Sequence, residues 1–146
     1  MGHFVKKSND KTVGITFSAF DLFHAGHVAM LQEAKEHCDY LIVGLQTDPS
    51  LERPEKNKPI QSVFERYVQL KGCKYIDEII PYSYEAEVRD ILLTYHIDVR
   101  FIGEEYKDKP FTGRDICDDK NILIYYNSRK HTFSSSGLRK RIQEIG

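Results

Sequence analysis

The feature that most constrains this chain is a regular alternation between short β-rich runs and segments with helical spacing. Residues 39–46 (DYLIVGLQ) are almost continuously apolar, the pattern of a strand buried on both faces of a parallel sheet. Residues 12–20 (TVGITFSAF) are rich in β-branched and aromatic side chains and predict an earlier strand. Residues 76–81, 99–103 and 122–126 predict three more. Residues 26–37 place Val28, Leu31 and Ala34 at helical spacing, and residues 85–95 place Val88, Ile91, Leu92 and Tyr95 on one face. Residues 62–71 predict another helix, with Ser62 as its N-cap and Glu65 at the capping-box position. Residues 137–145 predict a short basic helix, 47–61 a long polar loop and 106–119 an irregular segment.

Such alternation implies right-handed crossovers. The expected fold class is α/β: a single-domain, Rossmann-like, doubly wound sheet of five parallel strands with helices on both faces. A length of 146 residues suits one domain. Residues 1–11 read as an N-terminal arm and 12–146 as the domain. Lys+Arg total 21 against Asp+Glu 22, which argues against nucleic acid as a partner. No apolar run reaches the roughly 18 residues of a membrane span, and the N-terminus is polar rather than leader-like. Cys38, Cys73 and Cys117 are far apart with no C-x-x-C pair, so neither a disulfide framework nor a structural zinc site is expected. A cytoplasmic location is the expectation.

In an open parallel sheet, ligands bind beyond the carboxyl ends of the strands, and the unusual residues of this chain fall there. The first strand runs into Phe20, Asp21, Leu22, Phe23, His24, Ala25, Gly26 and His27. Two histidines three residues apart share one helical face. A helix N-terminus offers unpaired N–H groups and a positive dipole end to phosphate. Gly26 lets a ligand approach the backbone, and imidazole N–H groups donate to phosphoryl oxygens. No third zinc ligand stands at recognisable spacing. Ser134, Ser135 and Ser136 precede the last helix, as caps or as phosphate contacts. Arg129 falls at the sheet's carboxyl edge, whereas Arg139, Lys140 and Arg141 read as solvated surface. Glu104, Glu105 and Tyr106 follow the fourth strand, as base or sugar contacts or as exposed turn residues. Lys56 and Lys58 lie in the polar loop, as surface charge or as cations that close over a polyphosphate.

The run from Ala19 to His27 resembles the H-x-G-H signature of the nucleotidyltransferase superfamily, and the chain from Thr12 to Ile145 is similar to the small cytidylyltransferases, those acting on glycerol 3-phosphate above all. Gly103, Glu104, Glu105 and Tyr106 resemble that family's glycine, two acids and an aromatic. RKHTFSSS, starting at Arg129, stands where the family has R-T-E-G-I-S-T-T. Two departures are Ser18 and Ala19 in place of the family's Gly-Thr, and Lys130, His131 and Thr132 in place of Thr-Glu-Gly.

The resemblance implies catalytic roles for His24, His27, Lys58 and Arg129. It implies nucleotide contacts from Ala19, Phe20, Asp21, Gly26, Gly103, Glu105, Tyr106, Ser134, Ser135 and Ser136. It places the phosphorylated substrate near Lys56, Arg66 and Lys74, and assigns no residue to a metal. The implied reaction moves CMP from CTP to a small phosphorylated alcohol such as glycerol 3-phosphate and releases pyrophosphate, with Mg²⁺ as cofactor and a homodimer as the assembly. Adenylyl transfer from ATP to a phosphorylated sugar or cofactor precursor is the alternative. A phosphomonoester is largely dianionic at neutral pH, so no general base is required.

Overall fold

The computed structural model describes residues 11–128 and 134–145. Residues 1–10 of the expected N-terminal arm lie outside this range. Ten regular elements alternate, nine of them expected and one, α4, not. They are β1 (Val13–Ser18), α1 (Ala25–Lys35), β2 (Tyr40–Gln46), α2 (Val63–Lys71), β3 (Glu78–Tyr82), α3 (Glu85–Thr94), β4 (Val99–Gly103), α4 (Arg114–Asp119), β5 (Leu123–Asn127) and α5 (Ser135–Ile145). The five strands form one sheet in the order β3-β2-β1-β4-β5, all parallel.

Side chains alternate across a strand, so the two faces of the sheet feed two cores. Ile15 and Ile42 pack with Val88, Ile91 and Leu92 of α3 and with Ile116 and Cys117 of α4. Leu41, Val43, Val99 and Phe101 face the other way and pack with Leu31 and Ala34 of α1 and Leu70 of α2. Helices therefore cover both faces, as the continuous apolar run of β2 requires. Burying each such side chain contributes about 1.5–3 kcal/mol.

The strand order places the topological switch between β1 and β4, and the register there is short. β1 pairs with β2 along all six of its residues. It pairs with β4 only at Gly14 and Ile15, opposite Val99 and Arg100. Beyond these the two strands part, and the carboxyl edge opens into a cleft.

Several boundaries differ from the sequence expectation. β1 stops at Ser18 because Phe20 and Leu22 both take a φ of 52°, which an extended strand does not allow. β3 lies two residues later at its start; it is an edge strand, which tolerates Pro81. The segment expected to be irregular contains α4. Gly113 precedes it at φ 86° and only Ile116 and Cys117 are buried on it, too short a helix to display a period. The long loop includes a 3₁₀ turn at Pro49–Leu51, capped by Asp48 through the Ser50 amide at 2.9 Å. α5 starts at Ser135, two residues early, with the Ser134 hydroxyl accepting the Gly137 N–H at 2.9 Å. Ser62 and Glu65 form the expected capping box of α2.

Candidate active site

The histidine turn is built by the histidines themselves. His24 is the N-cap of α1, and its Nδ1 accepts the Gly26 N–H at 2.9 Å. His27, at the third helical position, returns its Nδ1 to the His24 N–H at 3.1 Å. This is a capping box made of two imidazoles instead of Ser and Glu. Because each Nδ1 accepts, each neutral ring carries its proton on Nε2. The ring centroids are 4.0 Å apart. Phe23 stacks on His27 at 5.5 Å and 4°, and Phe20 leans on it at 5.4 Å. Burial, followed by the neighbouring His24, lowers the His27 pKa to about 4, against a smaller raising effect of Asp21. His27 is thus neutral at physiological pH, with an Nε2–H donor at the helix's positive end.

The cleft measures about 540 Å³ and straddles the parting of β1 and β4. From β1 it takes Thr16, Phe17 and Ser18, and from β4 Arg100, Phe101, Ile102 and Gly103. On the α1 side stand Ala19, His24, Gly26, His27 and Ser134, with Glu105 and Tyr106 after β4. On the α3 side stand Tyr82, Glu85, Phe111 and Thr112. Lys56, Glu52 and Arg53 reach the cleft from the long loop. Glu105 folds back over Gly103, where a Cβ would lie 2.3 Å from its Oε1, so a larger residue there would displace the Glu105 carboxylate.

Among the described residues, six that the sequence reading expected at the site lie outside the cleft lining. Arg66 lies outside the cleft lining and is 1% exposed. Its guanidinium is occupied by the carbonyls of Gln61, Ala19, Gln46 and Thr47 at 2.6–3.2 Å, a hub that ties the chain's own backbone together. Lys74 is exposed beside the Tyr75 ring, ahead of the amino end of β3, the wrong edge of the sheet. Lys58 is exposed and outside the lining, whereas Lys56 is part of it. Asp21 also lies outside the lining; its carboxylate accepts the Ile60 and Gln61 N–H groups at 2.9 and 3.0 Å and a 2.6 Å bond from Arg139. Phe20 is 1% exposed and packs in the core under His27. Ser136 is exposed on α5 and outside the lining. Arg129 and the Ser135 side chain lie outside the described residues.

Residues 15–141 match the model of the family described as cytidylyltransferase-like. The chain belongs to the cytidylyltransferase-like family. It is 29% identical over 128 residues to the glycerol-3-phosphate cytidylyltransferase of Bacillus subtilis, covering 88% of this chain and 95% of that one. It is 30% identical over 139 residues to the bifunctional protein HldE of Campylobacter jejuni, covering 94% of this chain and 29% of that protein. The chain thus spans less than a third of the length of that longer relative. A solved structure, the lipopolysaccharide core biosynthesis protein of Thermoplasma volcanium, superposes with a TM-score of 0.68 at 22% identity, over 84% of this chain and all of that one, and shares the fold.

Within this member of the cytidylyltransferase-like family, several cleft groups escaped the sequence reading, Arg53, Thr112 and Arg100 among them. Arg53 sits in the same loop as the lysines. Thr112 lies in the segment expected to be irregular. Arg100 lies in β4, and its burial depends on which face of the strand it takes. An arginine inside an otherwise apolar strand (VRFIG) is the one signal that pointed to it.

Proposed function

We propose that this chain transfers CMP from CTP to a small phosphorylated alcohol, such as glycerol 3-phosphate, and releases pyrophosphate. The observation that carries this reading is the paired-imidazole cap, which fixes two Nε2–H donors beside the first turn of α1. A non-bridging oxygen of the acceptor phosphate attacks the α-phosphorus; the bond from that phosphorus to the bridging oxygen of the β-phosphate breaks, and pyrophosphate leaves with its electron pair. The acceptor oxygen is already anionic, so no side chain takes a proton. His24 and His27 donate to the α-phosphoryl oxygens as charge gathers there, and Lys56 offsets charge on the polyphosphate. Arg129 is assigned the leaving pyrophosphate by resemblance.

Mg²⁺ fits this reading as part of the incoming triphosphate. Among the described residues no three His, Cys, Asp or Glu side chains gather to hold a metal, and Mg²⁺ characteristically binds through substrate phosphates and water. The ion would neutralise β- and γ-oxygens.

Adenylyl transfer from ATP to a phosphorylated sugar or cofactor precursor is the second reading. Ala19 lines the cleft where the resemblance has threonine, so a hydroxyl contact expected of a cytidylyl site is missing. The homodimer is also a proposal. Ile60, Phe64 and Val68 expose 66%, 71% and 51% of their surface along α2 and its approach, an apolar stripe that a second copy would cover.

The deciding experiment measures pyrophosphate release with CTP, ATP, GTP and UTP against a panel of phosphate esters in Mg²⁺. Turnover confined to CTP with phosphorylated alcohols supports the first reading. Turnover confined to ATP replaces it with the second, and none with any triphosphate overturns both.

A further inference from the structure

The cleft has a second arm on the α3 side of β1, across the sheet from the histidines. Arg100 stands in its wall and is 6% exposed. The guanidinium carbon lies 5.1 Å from the Phe17 ring centroid and 5.0 Å from that of Phe111. Phe17 is itself fixed in place, since its ring covers Gly44 so closely that a Cβ there would fall 2.3 Å from its Cδ1. Arg100 Nη1 donates to the Thr112 carbonyl. Its Nε is buried without a partner. Among the described residues, no carboxylate forms an ion pair with it.

That is an unusual state for a buried cation. Buried charges are ordinarily paired or fully hydrogen-bonded. Arg66 of the same protein shows the satisfied case, with four carbonyls around one guanidinium. Two acids that line the cleft, Glu85 and Glu52, are already engaged. Glu85 accepts the Thr112 hydroxyl at 2.7 Å and faces Arg53 at 3.9 Å. Glu52 caps α3 through the Glu85 N–H at 2.8 Å. Two aromatic faces, one carbonyl and the Cys117 side chain hold the guanidinium in position, and Glu85 acts on it only through space, without an ion pair. Burial lowers the Arg100 pKa, but an arginine stays charged throughout the physiological range.

The geometry points to an acceptor that carries a second anionic group, a carboxylate or phosphate remote from the phosphate that reacts, with Arg100 as the residue that receives it. The identity of the reacting phosphate rests on the proposed nucleotidyl transfer; recognition of the second anion does not. The Thr112 hydroxyl, the Glu85 carboxylate and the Tyr82 phenol line the same arm, and they suit hydroxyl groups between the two anions. Among phosphorylated alcohols this arm therefore favours a phosphorylated polyol acid or a polyol bisphosphate over a neutral-tailed member such as glycerol 3-phosphate, which narrows the acceptor of the proposed transfer.

The test compares acceptors that differ only in a terminal CH₂OH or carboxylate: glycerol 3-phosphate against 3-phosphoglycerate, and sorbitol 6-phosphate against 6-phosphogluconate. Pyrophosphate release is measured with all four triphosphates, and binding of each acceptor by calorimetry. A charge-assisted contact at this depth predicts that the carboxylate member of at least one pair is favoured about tenfold or more in kcat/KM. In Arg100→Met that ratio collapses, and Arg100→Lys retains part of it because charge survives without the planar fork. The wild-type ratio is decisive even where a variant fails to fold. Preference for the neutral member in both pairs, or an undiminished carboxylate preference in folded Arg100→Met, overturns the inference and leaves nucleotidyl transfer standing. Calorimetric binding of the carboxylate acceptors that weakens in Arg100→Met, with no pyrophosphate released from any triphosphate, does the reverse. Neither binding nor release overturns both.

Discussion

Arg139, in the last helix, donates to the Asp21 carboxylate across 118 positions of sequence at 2.6 Å. The same carboxylate accepts two backbone N–H groups from the end of the long loop. One side chain thus joins the histidine turn, the approach to α2 and the terminal helix. The two residues form a brace beneath the cleft.

Removing Arg139 takes the one cationic donor from a carboxylate that keeps its two backbone N–H groups, and removing the Asp21 charge leaves a partly buried guanidinium without its carboxylate. Asp21→Asn and Arg139→Met are each expected to lower unfolding free energy by about 1–3 kcal/mol. A double-mutant cycle by urea denaturation should return a coupling of about 1 kcal/mol or more. Additive losses would show that the pair does not act as a brace.

The two imidazoles do two jobs, and substitution can separate them. Asparagine places a side-chain oxygen near the position of Nδ1 and offers nothing at Nε2. His24→Asn and His27→Asn should therefore keep most of the cap while losing roughly 10²–10³ in kcat. The alanine variants should lose the activity and a further ~1 kcal/mol of stability. Near-normal turnover in a folded asparagine variant would remove that histidine from the mechanism.

The buried state of His27 has a pH consequence. Its pKa is about 4 in the folded chain against 6.5 in the unfolded one. Between these values the unfolded chain binds the extra proton, so stability rises with pH through this window. The contribution is complete above about pH 6.5 and is lost as pH falls toward 4, at most about 3 kcal/mol. Lowering the pH from 7 to 4 should cost wild type more stability than His27→Asn, read from urea midpoints; parallel curves would contradict the assignment.

The basic residues sort by position. Lys56→Ala should reduce kcat/KM about tenfold or more, whereas Lys58→Ala and Lys74→Ala should stay within about threefold. Arg66→Met should act mainly on stability, by about 3 kcal/mol or more, because it strips donors from four carbonyls. Steady-state kinetics beside thermal unfolding separates these outcomes. A folded Arg66→Met with a selective rise in acceptor KM would restore it to the substrate site.

The sheet was legible because β2 and its neighbours carry an apolar signal that survives without tertiary information, and the α2 capping box is written in two residues, Ser62 and Glu65. The histidine turn was legible because its spacing and its place after the first strand are both local. The failures are of another kind. Arg66 and Asp21 carry charges that suit phosphate chemistry, yet their partners are carbonyls, amides and an arginine far away in sequence. α4 has too few buried residues to show a period. Arg100 sits on the face of β4 that meets Phe17 and Phe111, and no local pattern announces that meeting.

The Arg66 hub has a mechanical corollary. It ties the carbonyl that leaves β1, two that leave β2 and one just ahead of α2, so both roots of the lysine-bearing loop are anchored to the platform that carries the histidines. Between those roots Glu52 is tied to α3 and Ile60 to Asp21, so the part that carries Lys56 is the span from Arg53 to Pro59. Shortening or lengthening it around Lys56 should retune how far the cation reaches, as a longer arm does on a fixed shoulder, while the imidazole pair stays where it is.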